Sequence, residues 1–476
     1  MTSRCVPRCD RAPECGDGYA CDDHGLCQRA TGQKGDTCLS EVDCEPGLSC
    51  QIDGATVNKE NRLVASCTDQ SPMHSAGATC TDDGDCRNGT CALGRCIDLC
   101  RDTRDCGADT SCLDVPRVDS NGKLFAGCMP SQGTITFSIP MTSASSEILL
   151  PVPTVARSVS LVMSVDDPGQ KVGATSVLSP GGSRIYTLPC SPPVSLSDPS
   201  CTPTDTLDQY YANKLRHTPE FQQSVLLIPP APTFPLEAGA YQIRVSSFRA
   251  NGAPGTAVPK LTAVVQLESS MVLDLHFFFL DLDDHPCVVM PNNTRLDASS
   301  AQSTLAFQDY LSQMTSVFGG GGLTRGMVTY DDIKDHPEVD GLDVADAGTL
   351  LALGKYATGI NVFFVRSLSP IGIQAWGPNP GPAGLGGTPQ SGIVIGLDTL
   401  CYRSWTALAR LTVHEVARYM GLYHNVETET AQHPTWRDPI NDSDDSHTNL
   451  MYFSENGGVE LSAGQRAQLA RSGVLR

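Results

Sequence analysis

Twenty-one cysteines, 17 of them between Cys5 and Cys128, constrain this 476-residue chain more than any other feature. Five residues separate each of Cys9, Cys15, Cys21 and Cys27 from the next. Cys38, Cys44 and Cys50 repeat that gap, and Cys67 follows after sixteen residues. Cys80, Cys86, Cys91 and Cys96 are spaced by five, four and four, then Cys100, Cys106 and Cys112 by five again, with Cys128 after fifteen. Four groups of four result. A unit of roughly 20–30 residues encloses too little apolar volume to fold without crosslinks, so two disulfides per group are expected, with the pairing left open by the sequence. The spacing lacks the paired C-x-x-C of zinc ribbons, which points to an oxidising, extracellular or cell-surface compartment rather than a metal-loaded cytosolic segment. No charged-then-apolar leader follows Met1, so the sequence is expected to lack its true N-terminus. Cys5 precedes Cys9 by the gap that separates Cys96 from Cys100. It reads either as the tail of a unit further upstream or as a free or intermolecular thiol.

Turn residues such as Asp83-Gly84-Asp85 and Asn88-Gly89 fill the gaps between these cysteines. The regular array over residues 1–130 resembles the Dickkopf-like or EGF-like cysteine-rich repeats of secreted and surface proteins, and the ligand of such repeats is not readable from it. Charge narrows the partners. The 33 Lys and Arg stand against 53 Asp and Glu, a formal net charge of −20 without any basic block, which argues against nucleic acid and against an anionic membrane surface. The longest apolar run, residues 271–280, is interrupted by Asp274 and His276 and is far short of the ~20 residues that span a bilayer.

Residues 131–269 read as an all-β sandwich. Short apolar or alternating runs at 133–139, 159–165, 224–228, 241–246 and 261–267 are separated by Pro and Gly clusters. Cys190 and Cys201 are expected to pair across the intervening loop. Residues 270–476 alternate strand and helix, an α/β or α+β pattern. Strands apolar on both faces are expected at 272–280 and 360–365, with a shorter one at 393–397. Helical spacing covers 297–317, with Leu305, Tyr310, Leu311 and Met314 on one side, and 403–420, with Trp405, Leu408, Thr412, Val416 and Tyr419 at core positions. A last helix begins near Ser462, three residues before Gln465, as in a capping box. Cys287 and Cys401 are expected to tie the first strand of this region to the entry of the 403–420 helix.

That helix ends His414-Glu415-Val416-Ala417-Arg418-Tyr419-Met420-Gly421-Leu422-Tyr423-His424. Residues four apart share a helix face, so positions 414 and 418 aim at one spot, and Gly421 lets the chain turn back to bring His424 to it. Three imidazoles, a water and an adjacent carboxylate form the open geometry of catalytic zinc, in which the metal acidifies the water and the carboxylate takes its proton. The pattern resembles the metzincin zinc signature H-E-x-x-H-x-x-G-x-x-H, in its pappalysin-like form, and Asn449-Leu450-Met451-Tyr452 resembles that family's Met-turn. The resemblance covers about 200 residues. It implies that residues 270–476 form a metzincin-like zinc endopeptidase domain and says nothing about residues 1–270, whose cysteine-rich repeats and sandwich make the expected protein multidomain and secreted or cell-surface. Zinc would be held by His414 and His424, with Glu415 as general base, Met451 beneath the metal and a protein or peptide substrate added to a sheet edge near residues 384–392.

Arg418 departs from the signature at the second ligand. A guanidinium has no lone pair to donate, stays protonated, and sits three residues after Glu415, within ion-pair reach. Three accounts stay open. The domain is a degenerate metzincin fold, weakly active or inactive, and if inactive a pseudopeptidase serving as an extracellular binding or adhesion module. Alternatively, a substitute ligand comes from His433, His447 or the aspartates of 438–445. Or the chain is a variant of an active enzyme. Of the other histidines, His276 is expected to be a hydrogen-bonded core residue, and His24, His74 and His217 to be exposed. Asp281, Asp283 and Asp284 mark either a calcium site or a solvated strand end.

Overall fold

The computed structural model describes the chain except residues 1–6, 17–18, 23, 60, 72, 119–121, 189–210, 212, 218, 220–221, 281, 283–284, 289–294, 335, 337–340, 429–435 and 455. Cys5, the Cys190–Cys201 pairing, His433 and the carboxylates of Asp281, Asp283 and Asp284 therefore lie outside the described residues. The architecture is multidomain: small disulfide-linked sheets, a larger β-sandwich, then a mixed α/β region.

In each cysteine group the first bonds the third and the second bonds the fourth: Cys9–Cys21 and Cys15–Cys27, Cys38–Cys50 and Cys44–Cys67, Cys80–Cys91 and Cys86–Cys96, Cys100–Cys112 and Cys106–Cys128. A one-turn 3-10 helix ends just before the second cysteine of each group, or on it in the first. In the middle two units Ser40 with Asp43, and Asp82 with Asp85, form reciprocal capping boxes, which close the orphan N–H groups that so short a helix leaves open. The units differ in support. Around Cys9, Cys21 and Cys27 the buried cluster contains, among the described residues, only Ala12 besides the half-cystines. In the later units Leu63, Ile97, Val115, Phe125 and Met129 are buried in a core continuous with the sandwich.

Among the described residues the sandwich has eight strands: β1 (Thr134–Ile139), β2 (Ser145–Val152), β3 (Ser158–Ser164), β4 (Gln170–Leu178), β5 (Arg184–Thr187), β6 (Gln223–Ile228), β7 (Gly239–Arg249) and β8 (Lys260–Gln266). One antiparallel sheet runs β1-β8-β3-β6 and the other β2-β7-β4-β5. β1 alternates, with Ile135 and Phe137 inward. β6 is buried at every residue, which requires cover on both faces. The outer cover is the α/β region: Leu227 packs where a Cβ on Gly421 would stand, Gln390 Nε2 donates to the Gln223 carbonyl at 2.8 Å, and Gln468 Nε2 donates to the Pro229 carbonyl at 2.9 Å.

In the α/β region β9 (Val272–Leu280), β10 (Thr324–Ile333), β11 (Ile360–Val365), β12 (Ala375–Trp376) and β13 (Ile393–Gly396) form one sheet in the order β10-β9-β11-β13-β12. All pairings are parallel except β12 with β13, so the sheet ends in an antiparallel edge. Helices are α1 (Ala298–Ser303), α2 (Leu305–Gly320), α3 (Ala347–Leu351), α4 (Trp405–Tyr419) and α5 (Ala463–Leu469). The single helix expected over 297–317 is two, because Thr304 is extended and serves as N-cap of α2. That break leaves Leu305 exposed, contrary to expectation, while Tyr310, Leu311 and Met314 are buried. No helix among the described residues is long and apolar enough to cross a membrane.

His276 is buried on β9, with Nδ1 2.8 Å from Thr329 Oγ1 and Nε2 2.8 Å from the Thr358 carbonyl. His217 is not exposed: it is buried, accepting from the Ala174 N–H at Nε2 and donating from Nδ1 to the Val225 carbonyl. Burial holds it down at about 4, so it is neutral and structural. His24 and His74 are exposed. Cys287 and Cys401 are bonded, joining the segment after β9 to the 3-10 turn that leads into α4.

Candidate functional site

Helix α4 carries the site. Ser404 caps its N-terminus by accepting from the Ala407 N–H, and Leu408, Thr412, Val416 and Tyr419 bury its inner face. Its end is sharp: Leu422 N–H bonds the Ala417 carbonyl and Gly421 N–H the Arg418 carbonyl, with Gly421 at φ +100°, a left-handed conformation that suits glycine. Leu227 of the sandwich occupies the space a side chain there would need. The chain then reverses and brings His424 back to the helix.

His414 and His424 meet with Nε2 to Nε2 at 3.2 Å. Each ring is anchored from behind. His414 Nδ1 lies 2.7 Å from the Leu450 carbonyl and His424 Nδ1 2.8 Å from Glu427 Oε2. Both partners accept, so both Nδ1 atoms carry the proton, and both Nε2 lone pairs face the same point unless a proton or a cation lies between them. Two Zn–N bonds of about 2.0–2.1 Å at a tetrahedral angle hold their nitrogens about 3.3 Å apart, so this pair has the spacing of one edge of a zinc tetrahedron. Burial first, then His424, Arg418 and Arg410, hold His414 well below its ordinary value, so its ring is neutral.

The turn beneath is built to hold this pair. Leu450 O, which accepts from His414, also accepts from Arg410 Nη2 at 2.9 Å. Buried Arg410 further donates to the Gly458 and Ser454 carbonyls, and burial lowers its guanidinium to about 10, still charged at neutral pH. Met451 is fully buried; its carbonyl accepts from the N–H of Asn425, the residue after His424.

The second ligand position of the signature is different. Arg418 Nη1 lies 3.2 Å from Glu415 Oε2 and 3.5 Å from Oε1. Glu415 is buried and Arg418 about three-quarters so. Among the described residues no His, Cys, Asp or Glu completes a three-ligand group with His414 and His424. Among the described residues, the aspartates that the sequence suggests as substitutes are engaged elsewhere. Asp438 accepts from the Ile440 N–H and from Ser443, Asp442 caps α5 through Ser462 and Gly464, and Asp445 pairs with Arg437. His447 is exposed. The described residues thus fit two positions of a zinc site and not the third. Groups of three sulfurs do lie close enough to hold a metal in each repeat unit, but all are closed in disulfides and have no thiolate to offer.

A cavity of about 300 Å³ opens beside the pair. Arg418, Tyr423, His424 and Glu427 form one wall, residues 376–380 from the end of β12 onward a second, and Arg216, His217 and residues 223–225 of the sandwich a third. The walls are joined: Tyr423 Oη donates to the Arg216 carbonyl at 3.0 Å, and Arg216 Nη2 donates to the Arg437 carbonyl. No local pattern announces this third wall, because it comes from residues about 200 positions upstream. Glu427 does have a local signal, a carboxylate three residues after the last histidine, and sequence reasoning missed it. The segment 384–392 is not a sheet edge. It folds against the α3–β11 connection, and Gln390 is bonded to the sandwich. The edge beside the cavity is β12.

No protein-family model matches this sequence, and no curated protein matches it. Among solved structures it is similar to mirolysin in complex with compound 9, at 10% identity over 42% of this chain and 91% of that one, TM-score 0.30. It is also similar to the Aeromonas sobria serine protease with its chaperone ORF2, at 16% identity over 30% and 28% of the two chains, TM-score 0.16. The same serine protease alone gives 16% identity over 29% and 28%, TM-score 0.15. Likenesses this remote leave the reading to the chain's own residues.

Proposed function

We propose that this is a secreted or cell-surface protein whose last region, about residues 270–476, is a metzincin-like scaffold that binds peptide without hydrolysing it. The cysteine-rich region, 1–130, and the sandwich, 131–269, act as extracellular recognition modules. The observation that supports this is the Arg418–Glu415 ion pair. It puts a permanent cation where the second zinc ligand belongs and ties up the carboxylate that would take the proton from a metal-bound water.

The anchored histidine pair favours a second reading: a zinc endopeptidase scaffold intact but for one residue, in which Arg418 replaces a histidine. One series of variants separates the two. Arg418→His is expected to bind one zinc per chain and to gain hydrolysis of an unfolded protein that a chelator abolishes, with Glu415→Gln on that background keeping zinc and losing hydrolysis. Zinc-dependent hydrolysis by the parent chain would overturn the non-catalytic reading. An Arg418→His protein that folds and binds no more zinc than its parent would overturn the second.

A further inference from the structure

The cavity presents two guanidinium groups in a chain whose net charge is −20. Among the described residues two arginines, Arg216 and Arg418, line it, and the one lining carboxylate, Glu427, is bonded to His424. Arg418 is under-used. Among the described residues Glu415 is its hydrogen-bonding partner, reached by Nη1 alone, and its Nε is buried with none. A buried donor without an acceptor is costly, and a guanidinium presents its five N–H groups as a fork that a carboxylate matches. Arg216 is held in place by its bond to Arg437 and by stacking over Tyr211 at 4.8 Å. Trp376, at the end of the antiparallel edge strand β12, supplies the apolar rim.

We infer that the cleft selects a peptide by its carboxylate, which docks on Arg418 with Arg216 across the cavity, so that the residue standing at the missing ligand position is the recognition residue. This rests on the non-catalytic reading for the peptide nature of the ligand, while the charge selection rests on the cleft itself. The carboxylate has two candidate sources, an acidic side chain within the peptide or a free C-terminus. The cavity's size, at the small end of the roughly 300–1,000 Å³ usual for ligand pockets, suits a single such group and its neighbour.

The test is titration calorimetry on the full chain with three capped or uncapped pentapeptides: a blocked alanine peptide with a central Glu, the same peptide with Gln, and an all-alanine peptide with a free C-terminus. Measurements are made with 1,10-phenanthroline present, an uncharged chelator that removes zinc without competing as an anion. The Glu peptide or the free-terminus peptide is expected to bind about tenfold or more tighter than the Gln peptide, with the preference shrinking as salt rises. Which of the two binds identifies the source of the carboxylate. The preference is expected to vanish in Arg418→Gln and in Glu415→Gln/Arg418→Gln, the second avoiding a buried Glu415 left without its partner. Equal affinities, no binding, selection that appears only without phenanthroline, or selection kept in both variants would each overturn the inference. Hydrolysis of these peptides in zinc buffer, with selection intact in phenanthroline, would overturn the non-catalytic reading and leave the inference standing.

Discussion

The first cysteine-rich unit and the α/β region are held together by different means. In the first, the buried cluster is three half-cystines and Ala12. In the second, Phe364 on β11 stacks on Phe277 and Phe279 at 5.9 and 5.3 Å and meets Phe307 and Tyr310 edge-on, with one disulfide at the periphery. One structure depends on restricting the unfolded chain, the other on apolar area removed from water. The later repeat units fall between, since their bonds sit in a core shared with the sandwich.

The largest expected effect of this contrast is under full reduction. The first unit has two bonds closing 12-residue separations, each worth ~3 kcal/mol by loop closure, and nothing of that size replaces them. Limited proteolysis with and without reductant should show residues 9–27 cleaved first, the later units next, and the α/β region still protected. Equal protection across the chain after verified reduction would break the comparison. The converse perturbation is Phe364→Ala, expected to cost the α/β region about 3–5 kcal/mol by chemical denaturation while leaving protection of residues 9–27 unchanged. Loss of that protection in parallel would mean the two regions unfold as one.

Legibility in the sequence follows the same physics. β9 and β11 are buried on both faces and so stand out as apolar runs. β10 does not, because as an edge strand it is partly exposed and carries Thr, Asp and Gly. β4 is hidden by Gly173, which is small because His217 and Pro219 press on it, and β2 by Pro151. At the site, helix arithmetic places His414 beside Arg418, and Gly421 foretells the return of His424. What periodicity cannot reach is contact between distant segments: the sandwich wall of Arg216 and Gln223, and Arg410 bracing the turn below His414.

A smaller effect sharpens the contrast from the electrostatic side. Glu41 is pushed from its ordinary 4.5 up to about 8, first by burial and then by Asp98 in a neighbouring unit. Between those values the folded protein keeps a proton that the unfolded chain has released. The stability this group contributes is therefore full below about pH 4.5 and is lost as pH rises through about 8. Thermal melts of the parent are expected to lose ~1 kcal/mol or more for the repeat region between pH 5 and pH 8, since a tenfold difference in proton affinity between folded and unfolded chain is worth about 1.4 kcal/mol. Glu41→Gln should flatten that slope, and an unchanged slope would show that Glu41 is ionised in the folded state.

Zinc content of the parent chain tests the central claim most directly: that Arg418 has closed the second ligand position and claimed Glu415. After incubation with excess zinc and removal of free metal by gel filtration, elemental analysis is expected to find far less than one zinc per chain, with Arg418→His rising to one. One tightly held zinc per chain in the parent, released by chelator from a site that needs both His414 and His424, would contradict it.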